Sequence, residues 1–238
     1  MNSSEIKACL FDVFGTVVDW RTSVSRDLAA FAQHKGISGI DWVQFVVDWR
    51  RRYQPSMEQV RSGRRPWTIL DVLHRESLLE LIERYRIQGL SAADVDHMNT
   101  AWHRLDPWPD VAEGLARLKR RRIIATCSNG NIALMVNMAK RAGLPWDCIL
   151  GAETARAYKP MPEAYLASCR HLGLAPNAVL MVAAHNGDLR AAKAQGLATA
   201  FVPRPTEHGP GQTSDLAPDS SCVDITAGDF IELAERLG

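Results

Sequence analysis

From residue 107 onward, short apolar runs alternate with amphipathic stretches of helix length. The runs are IIATCS (123–128), AVLMVAA (178–184) and TAFV (199–202); the helical segments are 110–121, 131–142, 162–172 and 188–195. A short apolar run without polar alternation reads as a strand buried on both faces. Parallel sheets covered by helices on both sides bury their strands in that way. The pattern therefore predicts an α/β fold. A short strand at 148–150, a surface loop rich in Pro, Gly and Ser at 203–221, a last short strand near Val223 and a helix to Leu237 complete this half.

The run at 7–11 (KACLF) is a strand of the same kind, yet the next eighty or so residues are helical. Four apolar stripes recur at helical spacing: Val24, Leu28 and Phe31; Trp42, Val46, Trp49 or Arg50, and Tyr53; Leu70, Leu73, Leu78, Leu81 and Ile82; Val95, Met98 and Trp102. Pro55 should kink or end the second of these helices. The expected architecture is a Rossmann-like, doubly wound, mostly parallel sheet formed by 1–19 and 106–238. A helical cap, 20–105, is inserted after the first strand. Ligands of such sheets bind beyond the carboxyl ends of the strands, so the site should lie in the cleft between core and cap.

The formal net charge of +1 gives no sign of a nucleic-acid or membrane partner, and the basic runs at 50–52 and 119–122 read as solvated helix faces. The five cysteines show no metal-ligand spacing and read as core residues in a reducing compartment. The start, MNSSEIKACLFDV, lacks a basic region followed by a signal-length apolar stretch. A cytoplasmic protein is the expectation.

Polar residues cluster where the strands should end: Asp12 and Thr16; Ser128, Asn129 and Gly130; Lys159 before Pro160; His185, Asn186, Gly187 and Asp188. Taken singly, each has a plain structural reading as a turn, a helix cap or a surface lysine. In this order, on one edge of one sheet, they resemble the haloacid dehalogenase superfamily. Its motifs correspond here to LFDVFGT, ATCSNG, AYKP and VLMVAAHNGDL. The resemblance covers nearly the whole chain and implies the same core-and-cap fold.

Most of that superfamily are magnesium-dependent phosphohydrolases, with a second acid two residues after the nucleophile and another in the fourth motif. Phe14 and Ala184 stand at those positions here. A hard cation needs oxygen ligands, so no metal and no cofactor is expected. The resembling branch is the L-2-haloacid dehalogenases, which need no metal and commonly have Tyr where this chain has Phe14. That branch commonly has Ser, Asn and Asp where this chain has Ala183, His185 and Asp188.

The resemblance implies a metal-independent hydrolytic dehalogenase that converts a short 2-haloacid to a 2-hydroxy acid. Asp12 attacks the halogen-bearing carbon, and water then cleaves the resulting aspartyl ester. An anion here attacks an anion; unit charges ~5 Å apart repel by about 3 kcal/mol at an effective dielectric of 20. Lys159 should offset this, and Arg50, after Trp49, should hold the halide, with Arg51 as its competitor. Ser128 and Asn129 should hold the substrate carboxylate, Thr16 should orient Asp12, and Phe14 and Tyr165 should flank the nucleophile. Asp188 should orient Lys159 or water, and His185 can help water attack the ester or bond the halide. The alternatives are a magnesium-dependent phosphatase of the same fold and a non-catalytic member that binds a carboxylic acid. The aromatic cap faces would allow a homodimer.

Overall fold

A computed structural model describes residues 5–238, so the first four residues of the start read above for a leader lie outside the described residues. The strands β1 (Ala8–Phe11), β4 (Ile123–Thr126), β5 (Val179–Ala183), β6 (Ala198–Phe201) and β7 (Ile225–Thr226) form one sheet in the order β4-β1-β5-β6-β7. All its pairings are parallel. Side chains of β1 alternate between two apolar clusters: Cys9 and Phe11 face one, Ala8 and Leu10 the other. That is the signature of a sheet covered on both faces. The covering helices are α5 (Val111–Lys119), α6 (Ile132–Ala142), α7 (Ala152–Ala155), α8 (Pro162–His171), α9 (Asn186–Ala194) and α10 (Phe230–Leu237).

Two short strands, β2 (Val18–Asp19) and β3 (Asp106–Pro107), pair antiparallel and bracket the helical cap. The cap comprises α1 (Trp20–Lys35), α2 (Trp42–Arg61), α3 (Leu70–Arg84) and α4 (Ala92–Asn99). The ends of α1 follow directly from sequence: Asp19 accepts the Thr22 N–H, and Gly36, at φ 70°, takes the left-handed turn that closes the helix. Phe14, Trp20, Trp49 and Trp102 belong to the same apolar cluster as Phe11 of the sheet. Cap and core thus share one continuous core next to the end of β1. Among the described residues no helix is long and apolar enough to cross a membrane.

Three local expectations are corrected. Pro55 does not end its helix, since α2 runs to Arg61. Trp49, Tyr53 and Met57 are buried on either side of the proline. At about 1.5–3 kcal/mol per buried large side chain, they outweigh one lost backbone hydrogen bond. The segment 148–150 makes only one isolated bridge, Ala125 to Cys148, with a second just after it, Ser128 to Gly151, rather than a strand. The loop at 203–221 is not confined to the surface: Arg204 and Glu207 are buried.

Gly114 of α5 marks a close contact with α10. A Cβ there would lie 2.4 Å from Phe230 Cβ and 2.6 Å from its carbonyl carbon, at the start of α10. Gly114→Ala should therefore destabilise, because overpacking of about 1–3 kcal/mol exceeds the roughly 1 kcal/mol gained in helix propensity. A thermal melt followed by circular dichroism should fall by about 2–4 °C per kcal/mol lost. A raised melting temperature would mean that the two helices yield freely.

Candidate active site

Asp12 follows β1, and its backbone N–H donates to Val182 O at 3.0 Å, fixing the residue at the end of the sheet. The Thr16 hydroxyl donates to Asp12 Oδ2 at 2.7 Å and accepts the Ala184 N–H at 2.9 Å, so one side chain ties the loop after β1 to the end of β5. Lys159 Nζ donates to Asp12 Oδ1 at 2.8 Å and to Asp188 Oδ2 at 2.5 Å. The other oxygen of Asp188 accepts the Tyr165 hydroxyl at 2.5 Å. His185 lies between two acids, with Nδ1 3.1 Å from Asp12 Oδ2 and Nε2 2.8 Å from Glu207 Oε2.

These contacts set the charges. Burial works against ionised Asp12, but the Lys159 ammonium and His185 more than offset it and hold its pKa well below the usual carboxylate range. Burial likewise disfavours charged Lys159, and Asp12 and Asp188 overcome it, so the ammonium is retained. Asp188 is shifted upward by burial despite Lys159, while both its oxygens accept hydrogen bonds. Partial burial works against charge on His185, yet its hydrogen bonds to Asp12 and Glu207 more than offset it and raise its pKa well above the usual imidazole value. Burial pushes Glu207 up, and His185 and Trp20 bring it below its ordinary value.

The site opens into a cavity of about 820 Å³ between cap and core, lined by Asp12, Phe14, Arg50, Asn129, Lys159 and His185 among others. Arg50 projects into an aromatic cage, its guanidinium carbon 3.9 Å from the Tyr53 ring centre, 5.2 Å from that of Trp20 and 5.7 Å from that of Phe14. Its Nη1 is buried and has no hydrogen-bond partner. Arg51 also reaches the cavity but is paired with Asp48, and its side chain is 70% exposed.

Two expected positions differ from the sequence reading. Ser128 is fully buried and turned inward, where its hydroxyl accepts the Gly130 N–H at 3.1 Å, and it is not part of the cavity wall. The start of α6 is also occupied, since Ile132 N–H donates to Glu153. Asn129 does line the cavity, and its Oδ1 accepts the Lys159 N–H at 2.8 Å. Tyr165 is buried behind Asp188 and meets Asp12 only through that acid.

Glu207 is the residue that sequence reasoning missed. It comes from the loop after β6, with no motif or periodicity to mark it. Its carboxylate rests on Gly15, where a Cβ would be 2.1 Å from Oε1, and it accepts the Trp20 indole N–H at 3.0 Å. Gly15 has φ 89°, so both its conformation and the space above it call for glycine.

The arrangement does not fit a magnesium cage. The Lys159 ammonium already bridges Asp12 and Asp188, and Ala184 has no side-chain oxygen to stand in for a metal-binding acid. Among the described residues, His185, Glu207 and His208 bring ligand-type atoms within 4.8 Å of one another. Both ring nitrogens of His185 are already engaged by carboxylates, so neither is free to ligate a metal.

A family model for haloacid dehalogenase-like hydrolases matches residues 6–196. The crystal structure of the defluorinating L-2-haloacid dehalogenase Rha0230 superposes with a TM-score of 0.95 at 48% identity, covering 100% of this chain and 98% of that one. (S)-2-haloacid dehalogenase 4A of Burkholderia cepacia is 29% identical over 90% of this chain and 94% of its own length. Phosphoglycolate phosphatase of Chromobacterium violaceum is 27% identical over 100% of this chain and 99% of its own length.

The raised pKa of His185 has a signed consequence for stability. A group whose pKa rises on folding stabilises fully below its unfolded value, here 6.5, and loses that contribution as pH climbs through the folded value. Relative to His185→Asn, the wild type should therefore show its greatest excess stability below about pH 6.5, declining on the alkaline side. Urea unfolding across pH measures this difference. A gap that widens toward high pH would show that the imidazole is neutral in the folded protein.

Proposed function

The chain belongs to the haloacid dehalogenase-like hydrolases, and from that premise we propose that it hydrolyses the carbon–halogen bond of short 2-haloacids without a metal. The observation that carries this reading is the company Asp12 keeps. It is ionised beside Lys159, and the side chain two residues on is the aromatic Phe14. A departing halide needs no proton, whereas a phosphate ester's leaving oxygen calls for an acid and its phosphoryl group for charge neutralisation. The better-matching relatives, among them the defluorinating L-2-haloacid dehalogenase and (S)-2-haloacid dehalogenase 4A, support the same choice over the phosphatase.

In this reading Asp12 attacks the halogen-bearing carbon and the halide leaves with the bonding electrons. Lys159 keeps the carboxylate ionised, and Thr16 and His185 fix its second oxygen. Support for Arg50 as the anion-binding group is its buried, unpartnered Nη1 beside three aromatic rings. Asn129 faces the same cavity and takes the substrate carboxylate's side. Asp188 and Tyr165 hold Lys159 from behind. The core is formed by 1–19 and 106–238 and the cap by 20–105. The enzyme works in the cytoplasm, in keeping with five free cysteines.

An ion-selective assay with chloroacetate and (S)-2-chloropropionate should detect halide in the presence of EDTA, and Asp12→Ala should reduce it to background. In single turnover in H₂¹⁸O, label should enter the Asp12 carboxylate before it reaches product. Phosphate release with added Mg²⁺, and intact organohalide, would replace this reading with the phosphatase.

A further inference from the structure

We propose that Glu207 is a positioning residue for the second half of this reaction. It holds His185 with Nδ1 turned to Asp12, so that the imidazole takes a proton from the water that attacks the aspartyl ester. This rests on the dehalogenase reading above and adds a residue and a step to it.

The geometry is that of a carboxylate orienting an imidazole, with one ring nitrogen tied to the acid and the other aimed at the reacting group. Nε2 is held at 2.8 Å by Glu207, and Nδ1 is 3.1 Å from the carboxylate that becomes the ester. Glu207 is itself fixed from several sides. Trp20 donates to it, Gly15 leaves room for it, and its N–H donates to Arg204 O at 3.1 Å. Arg204 in turn donates to Thr16 O at 2.9 Å and to both oxygens of Asp110 at 2.7 and 2.8 Å. The His185 side chain is 24% exposed, so water reaches it from the cavity. Asp188 is the rival base, but Lys159 and Tyr165 already engage its two oxygens. Charged groups around the imidazole are Asp12 and Glu207 in contact, Lys159 and Asp188 beyond Asp12, His208 beyond Glu207, and Asp215 at the start of α9.

The proton count closes. In the resting enzyme both ring N–H groups of His185 donate to carboxylates. Attack by Asp12 forms the carbon–oxygen bond, breaks the carbon–halogen bond and turns Asp12 into a neutral ester, so Nδ1–H loses its anionic acceptor. That proton leaves to solvent with the halide, which is the acid that hydrolysis of a haloacid must yield. Nδ1 then accepts a proton from water as the water oxygen bonds to the ester carbonyl carbon. The acyl–oxygen bond breaks, the remaining water proton passes to the hydroxy acid, and Asp12 returns as a carboxylate facing an imidazolium.

The test compares Glu207→Gln and Glu207→Asp with wild type on (S)-2-chloropropionate, using rapid-quench halide release and intact-protein mass spectrometry. Glu207→Gln should keep a stoichiometric halide burst, which also shows that the site is folded. Steady-state turnover should fall roughly 100-fold, with the ester adduct accumulating. The rising limb of its kcat–pH profile should move to lower pH, because the amide no longer holds the imidazolium proton. Glu207→Asp should recover part of both. Unchanged turnover without adduct would overturn the proposal, as would equal loss of burst and turnover. Absence of halide release from the wild type would instead remove the dehalogenase reading, and this inference with it.

Discussion

The ammonium of Lys159, set between the carboxylates of Asp12 and Asp188, is the interaction on which the site depends. Each of these ions is almost fully removed from water, at a cost of several kcal/mol apiece if left alone. Removing the ammonium would leave two like charges facing each other in a low dielectric. The parallel sheet is what allows the three to meet. Asp12 follows β1, Asp188 sits in the first turn of α9 just beyond β5, and Lys159 comes from the loop before α8. Adjacent parallel strands deliver their carboxyl ends to one edge, where helix starts favour negative charge.

A second constraint comes from the chain after β6. Arg204 donates to the Thr16 carbonyl while Trp108 donates to that of Gly15, so the loop carrying Asp12 is held from two sides. The same chain continues to Asp215, whose carboxylate accepts the Asn186 N–H at the start of α9. One irregular segment thus braces both the loop after β1 and the helix after β5. Its buried charges, Arg204 with Asp110 and Glu207 with His185, are each paired. That pairing is what permits a loop rich in proline and glycine to lie inward.

Legibility in the sequence followed periodicity. Most strand positions and the four cap stripes sit in segments with a clear apolar rhythm, and the sheet could be read from them; the Asp12–Lys159–Asp188 group was legible only through the resemblance of its motifs to the superfamily. Glu207 could not be read at all. It lies in a loop twenty-two residues after His185, and only tertiary folding brings it to the imidazole. Ser128 failed for a different reason: its motif marks the end of β4, but a side chain's direction at a strand end depends on the local turn, and here it points to Gly130. Pro55 shows propensity overridden by packing, since the buried stripe of α2 extends past it on both sides.

The aromatic residue two places after Asp12 has a consequence beyond the missing acid. Phe14 meets Trp102 and Tyr53 edge-on and forms one wall of the cage around Arg50. An aromatic face attracts a guanidinium through its quadrupole without neutralising it, so Arg50 keeps an unsatisfied donor and its full charge. A carboxylate at this position would instead put a negative charge near the same guanidinium and compete with any anion for it. The single exchange of acid for aromatic therefore acts twice in the same direction. It removes the group that phosphoryl chemistry would use, and it leaves an unpaired guanidinium at the cavity.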